Sequence, residues 1–258
     1  MTEKPHLDQG PWLLEIVASR GISGLLEEIA AESDLDQRRA LYANACKEVP
    51  HSKWQGKNLD QVILLYRAAI QEFQQQSSSA SDPETASQRL DGANILSYNL
   101  SADLAPCWPG DDEPRSVHHL QEGRRAAEDC LRWREELEKG PGPFNIAWWA
   151  RGIHCLALGD LESAIESFQN SLAAAVEMAE KASEPTALSP QASFSILLSS
   201  GYLGLARSIA STAPGENLFD DAVAAFNSQI QAGGENASDA GFGRDQLQEA
   251  SKRLASPR

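Results

Sequence analysis

The sequence predicts an all-α protein built of stacked antiparallel helix pairs, about ten helices with no sheet. Three observations carry that expectation. Apolar residues recur at helical spacing through most of the chain. No segment reads as a convincing strand. Three segments far apart in the chain share one apolar pattern in one register, as a repeated helix pair would.

The elements follow in order. Trp12, Ile16 and Val17 lead toward Leu25, Leu26 and Ile29, with a break near Gly21. Leu35 to Val49 is a second helical stretch. Asn58 to Gln75 is a third, with Val62, Ile63, Tyr66, Ala69 and Ile70 on one stripe. The polar run QQQSSSASD predicts an exposed loop over residues 76–82. Asp82-Pro83 opens the next helix, because proline is tolerated in a first turn, and that helix reaches about Leu104. After LAPCWPGDDEPRSVHHL a helix covers about Glu113 to Lys139 and ends at GPGP, Gly140 to Pro143. Further helices are expected at about Phe144 to Leu158, Leu161 to Ser183, Ser189 to Ala210, Asn217 to Gln231 and Arg244 to Leu254. SFSILLSSGYLG is the most ambiguous segment and takes its helical reading from its surroundings. Residues 232–243 read as a flexible connector to a C-terminal capping helix, and residues 1–258 as one domain.

Composition narrows the function. Of the 258 residues, 41% are hydrophobic, enough to supply a core. The formal charge of −15 repels phosphates and anionic lipid, so nucleic acid and membrane are not expected partners. Such a surface suits a basic or apolar partner, or simply solubility. Cys46, Cys107, Cys130 and Cys155 form no CxxC pair and read as reduced thiols. MTEKPHLDQGPWLLEIVASRG lacks the form of a signal peptide, and no stretch approaches a membrane span. A cytoplasmic protein is expected, or a nuclear one in a eukaryote.

The repeated segments are LDQVILLYRAAI, LESAIESFQNSL and FDDAVAAFNSQI. Val62, Ala164 and Ala222 hold a compact position that lets helices approach. Tyr66, Phe168 and Phe226 follow four residues later, where an aromatic fills the groove beside the contact. The middle copy carries its partner helix. AWWARGIHCLALGDLESAIESFQNSL, within residues 144–175, resembles a tetratricopeptide repeat. Trp148 falls on the early aromatic position, Gly152 on the small one and Cys155 on the usual tyrosine. Gly159-Asp160 makes the turn, and Ala164, Phe168 and Ser171 continue the pattern. The other copies diverge: the loops at Pro50 to Lys57, Ala105 to Pro114 and Thr212 to Glu216 lengthen the turns, and Arg124 interrupts the apolar position that follows Gly123. The resemblance implies an α-solenoid that binds other proteins. It further implies that Ile146, Trp149, Ile153 and Leu156 face a concave, partner-binding groove. The family's lysine, arginine and asparagine clamp for C-terminal carboxylates has no counterpart, since Trp149 and Ile153 stand at those positions.

Several constellations have two readings. The Ile146 stripe is either a peptide groove or packing, against a neighbouring repeat or against the C-terminal helix folding back. Asn94 with Tyr98, and Asn99 with Asp103, are i, i+4 pairs on one helix. With Arg134 they form a polar pocket, or they cap helix ends. His154 is expected to pack, partly buried. The stretch from Leu104 to Leu120 reads as a turn between two helices, with Trp108 as a plug against the helix ends. His118 and His119 are adjacent, so they diverge on a helix and cannot make an i, i+4 metal pair. No GxSxG, HExxH, GxxxxGK[ST] or GxGxxG occurs. The expected function is a protein–protein interaction module or adaptor that takes a partner peptide or protein segment. The alternative is a small-molecule or peptide sensor, and behind it an enzyme on a helical scaffold. No cofactor, metal or catalytic residue is implied.

Overall fold

The computed structural model describes residues 9–211 and 217–255, and within them the chain forms ten α-helices and no strand. The turn expected at Thr212 to Glu216, and the first eight residues of the leader reading, lie outside the described residues. The helices gather in two compact units, Met1–Asp103 and Leu104–Arg258, where the sequence reading expects a single domain. No helix is long and apolar enough to cross a membrane among the described residues.

In the first unit, α1 (Gln9–Ala30) bends at Gly21, whose φ of 68° favours glycine. Helix α2 (Leu35–Glu48) starts where the Asp34 side chain accepts from the N–H groups of Asp36 and Gln37. Asn58 caps α3 (Leu59–Ser78) in the same way through the N–H of Gln61. Helix α3 therefore runs to Ser78, inside the stretch expected to be loop. Helix α4 (Pro83–Leu104) begins on its proline and packs antiparallel on α3: Tyr66 Oη, early in α3, donates to Asp103 Oδ2 at 2.9 Å. The same hydroxyl reaches the Cys46 carbonyl at 3.1 Å, which ties α2 to the pair.

The second unit holds α5 (Val117–Glu136), α6 (Pro141–Leu158), α7 (Leu161–Ala182), α8 (Phe194–Ala210), α9 (Leu218–Ala232) and α10 (Ala237–Leu254). Each helix packs on the next. Asn145 lies opposite Ser171 and Arg151 opposite Glu166, so α6 and α7 run in opposite directions. Alternate helices run the same way and touch: Asn145 meets Ser199 across α6 and α8, and Gly201 meets Leu247 across α8 and α10. Helices α6, α8 and α10 therefore form one layer, with α5, α7 and α9 packed alongside them.

Small residues set the spacing. A Cβ on Gly152 would lie 2.6 Å from Phe168 Cε1, so only glycine allows α6 and α7 this close. The aromatic of each repeated segment is enclosed, at 1% exposure for Tyr66 and 0% for Phe168 and Phe226. Burying such a ring stabilises by about 1.5–3 kcal/mol. Gly123 likewise admits the ring of His154, which is fully buried rather than partly so. The polar residue after it is explained too: Arg124 donates to Asp160 Oδ2 at 3.0 Å and to Glu128 at 2.9 Å.

The boundaries that differ do so for local reasons. Helix α5 begins at Val117 instead of Glu113, because Ser116 and His119 form a reciprocal capping box there. The His119 ring serves that cap. Helix α6 begins at Pro141, inside GPGP, since a first-turn proline needs no N–H partner. Helix α10 starts at Ala237, so most of the expected connector is helical.

Candidate functional site

The residues expected to line an open groove are mostly core. Trp149, Ile153 and Leu156 are 6%, 0% and 5% exposed, and only Ile146, at 37%, reaches solvent. Their helix is enclosed by α5, α7 and α8, and the face bearing Trp149 is covered by the chain itself. Packing, the other reading of that stripe, fits these three residues.

The cover is the segment Ala105 to Ser116. Trp108 lies 5.6 Å from Trp149 and stacks on Phe242 at 6.1 Å between ring centroids. These partners sit well inside α6 and α10, so the tryptophan plugs the face of the layer and not the helix ends. Beneath it Trp149 meets Tyr202 at 6.1 Å, and Tyr202 stacks on Phe168 at 5.2 Å. Cys107 is fully buried beside Tyr202, and Gln246 Nε2 donates to its Sγ at 3.6 Å. Burial pushes the Cys107 thiol up to about 11, against the opposing hydrogen bonds of Tyr202 and Gln246, so it is protonated at neutral pH. Burial likewise holds the Tyr202 phenol well above its ordinary range.

Charged groups fasten the far end of the segment. Arg115, almost wholly enclosed, pairs with Asp111 and donates to the Leu104 carbonyl at 3.3 Å. Arg253 of α10 donates to the Asp111 carbonyl and pairs with Glu249. Burial alone would raise the Asp111 carboxyl, but the Arg115 hydrogen bonds hold it below the ordinary value of 3.8. The segment turns at Pro106-Cys107 and again at Pro109-Gly110, where Asp111 N–H donates to the Trp108 carbonyl at 3.3 Å, and lies against α6, α8 and α10.

The polar-pocket residues fall in different units. Asn94, Tyr98, Asn99 and Asp103 belong to the first and Arg134 to the second. Asp103 is engaged by Tyr66, Asn94 Nδ2 donates to Asp91 at 2.9 Å, and Arg134 donates to the Pro143 carbonyl. The Asp103 contact ties α4 to α3, the Asn94 bond lies within α4, and Arg134 joins the end of α5 to the start of α6. A second buried polar group was not anticipated: Asn145 Nδ2 bonds Ser171 and Ser199, each Oγ at 3.0 Å, and holds α6, α7 and α8 in register. Tyr202, Gln246 and Phe242 were also missed. Tyr202 lies in the ambiguous SFSILLSSGYLG, and Phe242 in the stretch read as connector. The one available signal was Trp108 itself, a large aromatic between prolines that had to find a hydrophobic seat.

No protein-family model matches the chain, and no curated protein matches it in sequence. The geometry of the second unit therefore carries the functional argument.

Proposed function

We propose that the chain is a protein-interaction module of the helical-repeat type, a divergent relative of tetratricopeptide-repeat proteins, acting as an adaptor. The observation that carries this reading is the non-helical segment seated on α6, α8 and α10 through Trp108. A helical layer that holds one non-helical strip by an aromatic anchor has the geometry to dock another. The Gly152–Phe168 approach supports the kinship, because the family-like small and aromatic positions meet in space. The rim of the seat stays available: Ile146 and Phe242 are 37% and 49% exposed. A cytoplasmic setting belongs to the same reading, supported by four buried cysteine thiols.

The test is affinity capture from the host lysate with native mass spectrometry, using wild-type chain and the Ile146→Asp, Phe242→Asp pair of substitutions. Both residues are exposed, so the variant keeps its fold by circular dichroism. The expected result is a reproducible partner with wild type and its loss with the variant. A partner retained at full yield by the variant overturns the docking face.

A further inference from the structure

A groove of about 540 Å³ opens between the start of α7 and the end of α8. It shares no lining residue with the rim at Ile146 and Phe242. Its floor is apolar, made by the half-buried side chains of Leu161, Ile165 and Ala210. Its edge is acidic: Glu162 and Glu166 are exposed, and no lysine or arginine lines it. The two carboxylates stand one turn apart on one helix face, where like charges repel. The cations nearby are already shared out. Arg124 bonds Glu128 and Asp160. Arg151 lies 3.7 Å from Glu128 and 3.1 Å from Glu166, and also donates to Ser167. Two guanidiniums thus serve three carboxylates, and Glu162 has no ion pair among the described residues. The Glu166 side chain is 62% exposed against 15% for Arg151, so its carboxylate keeps an open side.

We propose that this groove is a second docking surface, for a partner segment that sets an aliphatic side chain on Leu161, Ile165 and Ala210 and an arginine between Glu162 and Glu166. Charge complementarity selects the cation, and the apolar floor selects the side chain beside it. Arginine suits the pair better than lysine, because its planar fork of donors can bond two carboxylates at once. Its arrival also relieves the repulsion along α7. The charge of −15 draws basic segments toward the chain from a distance. The inference goes beyond the adaptor reading, which puts its partner on Ile146 and Phe242, and the two surfaces are tested apart.

The experiment is a heteronuclear NMR titration of the full chain with three peptides: GLRLRG, its charge-only form GSRSRG and its neutral form GLQLQG. With GLRLRG, shifts are expected at residues 161–169 and around Ala210. GLRLRG should bind about three- to tenfold tighter than either other peptide. Glu162→Gln combined with Glu166→Gln should weaken it about three- to tenfold. The same charge change at Glu135 and Glu136, exposed on α5, should alter its affinity by less than about twofold. Ile146→Asp with Phe242→Asp should leave the titration as it is. Absent shifts, shifts centred elsewhere, or equal binding of GSRSRG and GLRLRG overturn the proposal. Equal weakening by the two glutamine pairs overturns it as well, since the attraction is then only the net charge. Loss of binding in the Ile146→Asp, Phe242→Asp chain assigns the peptide to the other surface and overturns the groove. If the double glutamine variant does not fold, Glu162→Gln alone, which breaks no ion pair, decides against Glu135→Gln: a greater loss supports the groove, and an equal one overturns it.

Discussion

The loops at residues 50–57 and 105–116 each carry proline, glycine and one tryptophan, and each joins two helices, but they hold their tryptophans differently. Trp54 Nε1 donates to the Val49 carbonyl at 3.1 Å, and Lys57 Nζ reaches the carbonyls of Pro50 and Ser52. Each of those partners is within seven residues of its donor. Trp108 instead rests on Trp149 and Phe242, Cys107 on Gln246, and Asp111 on Arg253. The first loop closes on itself and only turns the chain. The second closes on helices far along the sequence, so it belongs to the tertiary core of its unit.

The comparison breaks most visibly at Trp149. Aspartate there places a charge between Trp108 and Tyr202 and removes a large buried ring. Trp149→Asp should cost about 4 kcal/mol or more and unfold the second unit, read as a urea midpoint shift. A folded variant of near-native stability would show that the face under the loop is open after all. Next come the two loop tryptophans. Trp108→Ala should cost about 1–3 kcal/mol and make Cys107 accessible to alkylation, mapped by mass spectrometry. Trp54→Ala should cost less than about 1 kcal/mol and leave Cys107 protected. Equal costs would erase the contrast between the loops.

The charged fastening sharpens the comparison by its pH dependence. Asp111→Asn should lower stability by about 1 kcal/mol at neutral pH. The native carboxyl titrates below its ordinary value of 3.8. Its contribution is therefore present above that value and lost as pH falls through the lowered one. The melting difference between wild type and Asp111→Asn should close as the pH falls below 3.8 and through that lowered value, and a difference that persists once the carboxyl is protonated assigns the effect to something other than the ion pair. The smallest effect belongs to Ile146→Asp alone. It should stay within about 0.5 kcal/mol of wild type in denaturant while weakening partner capture.

Much of this was legible in the chain. The compact and aromatic positions of the repeated segments mark the buried face of α3, α7 and α9, and Gly152 with Phe168 marks the closest helix approach. These readings succeed because helical periodicity, proline at a first turn and a small residue facing a large one are local rules. The Trp149 stripe shows their limit. Its spacing is the same whether it faces a groove or a core, and only the position of residues 105–116 distinguishes the two. Asn94 and Asp103 looked like pocket residues because a polar side chain on an apolar helix gives no sign of which backbone or hydroxyl it will meet.

The sequence by itself determined the all-α class, the helix count and the pairing of neighbours, since each follows from apolar spacing and short connections. Only the tertiary structure decided that α6, α8 and α10 share a layer, that Cys107 and Trp108 lie on it, and that Arg253 fastens the far end. Those contacts join residues more than forty, and up to about 140, positions apart. No local pattern encodes them, because they arise from burying an aromatic and pairing charges only after the helices have already stacked.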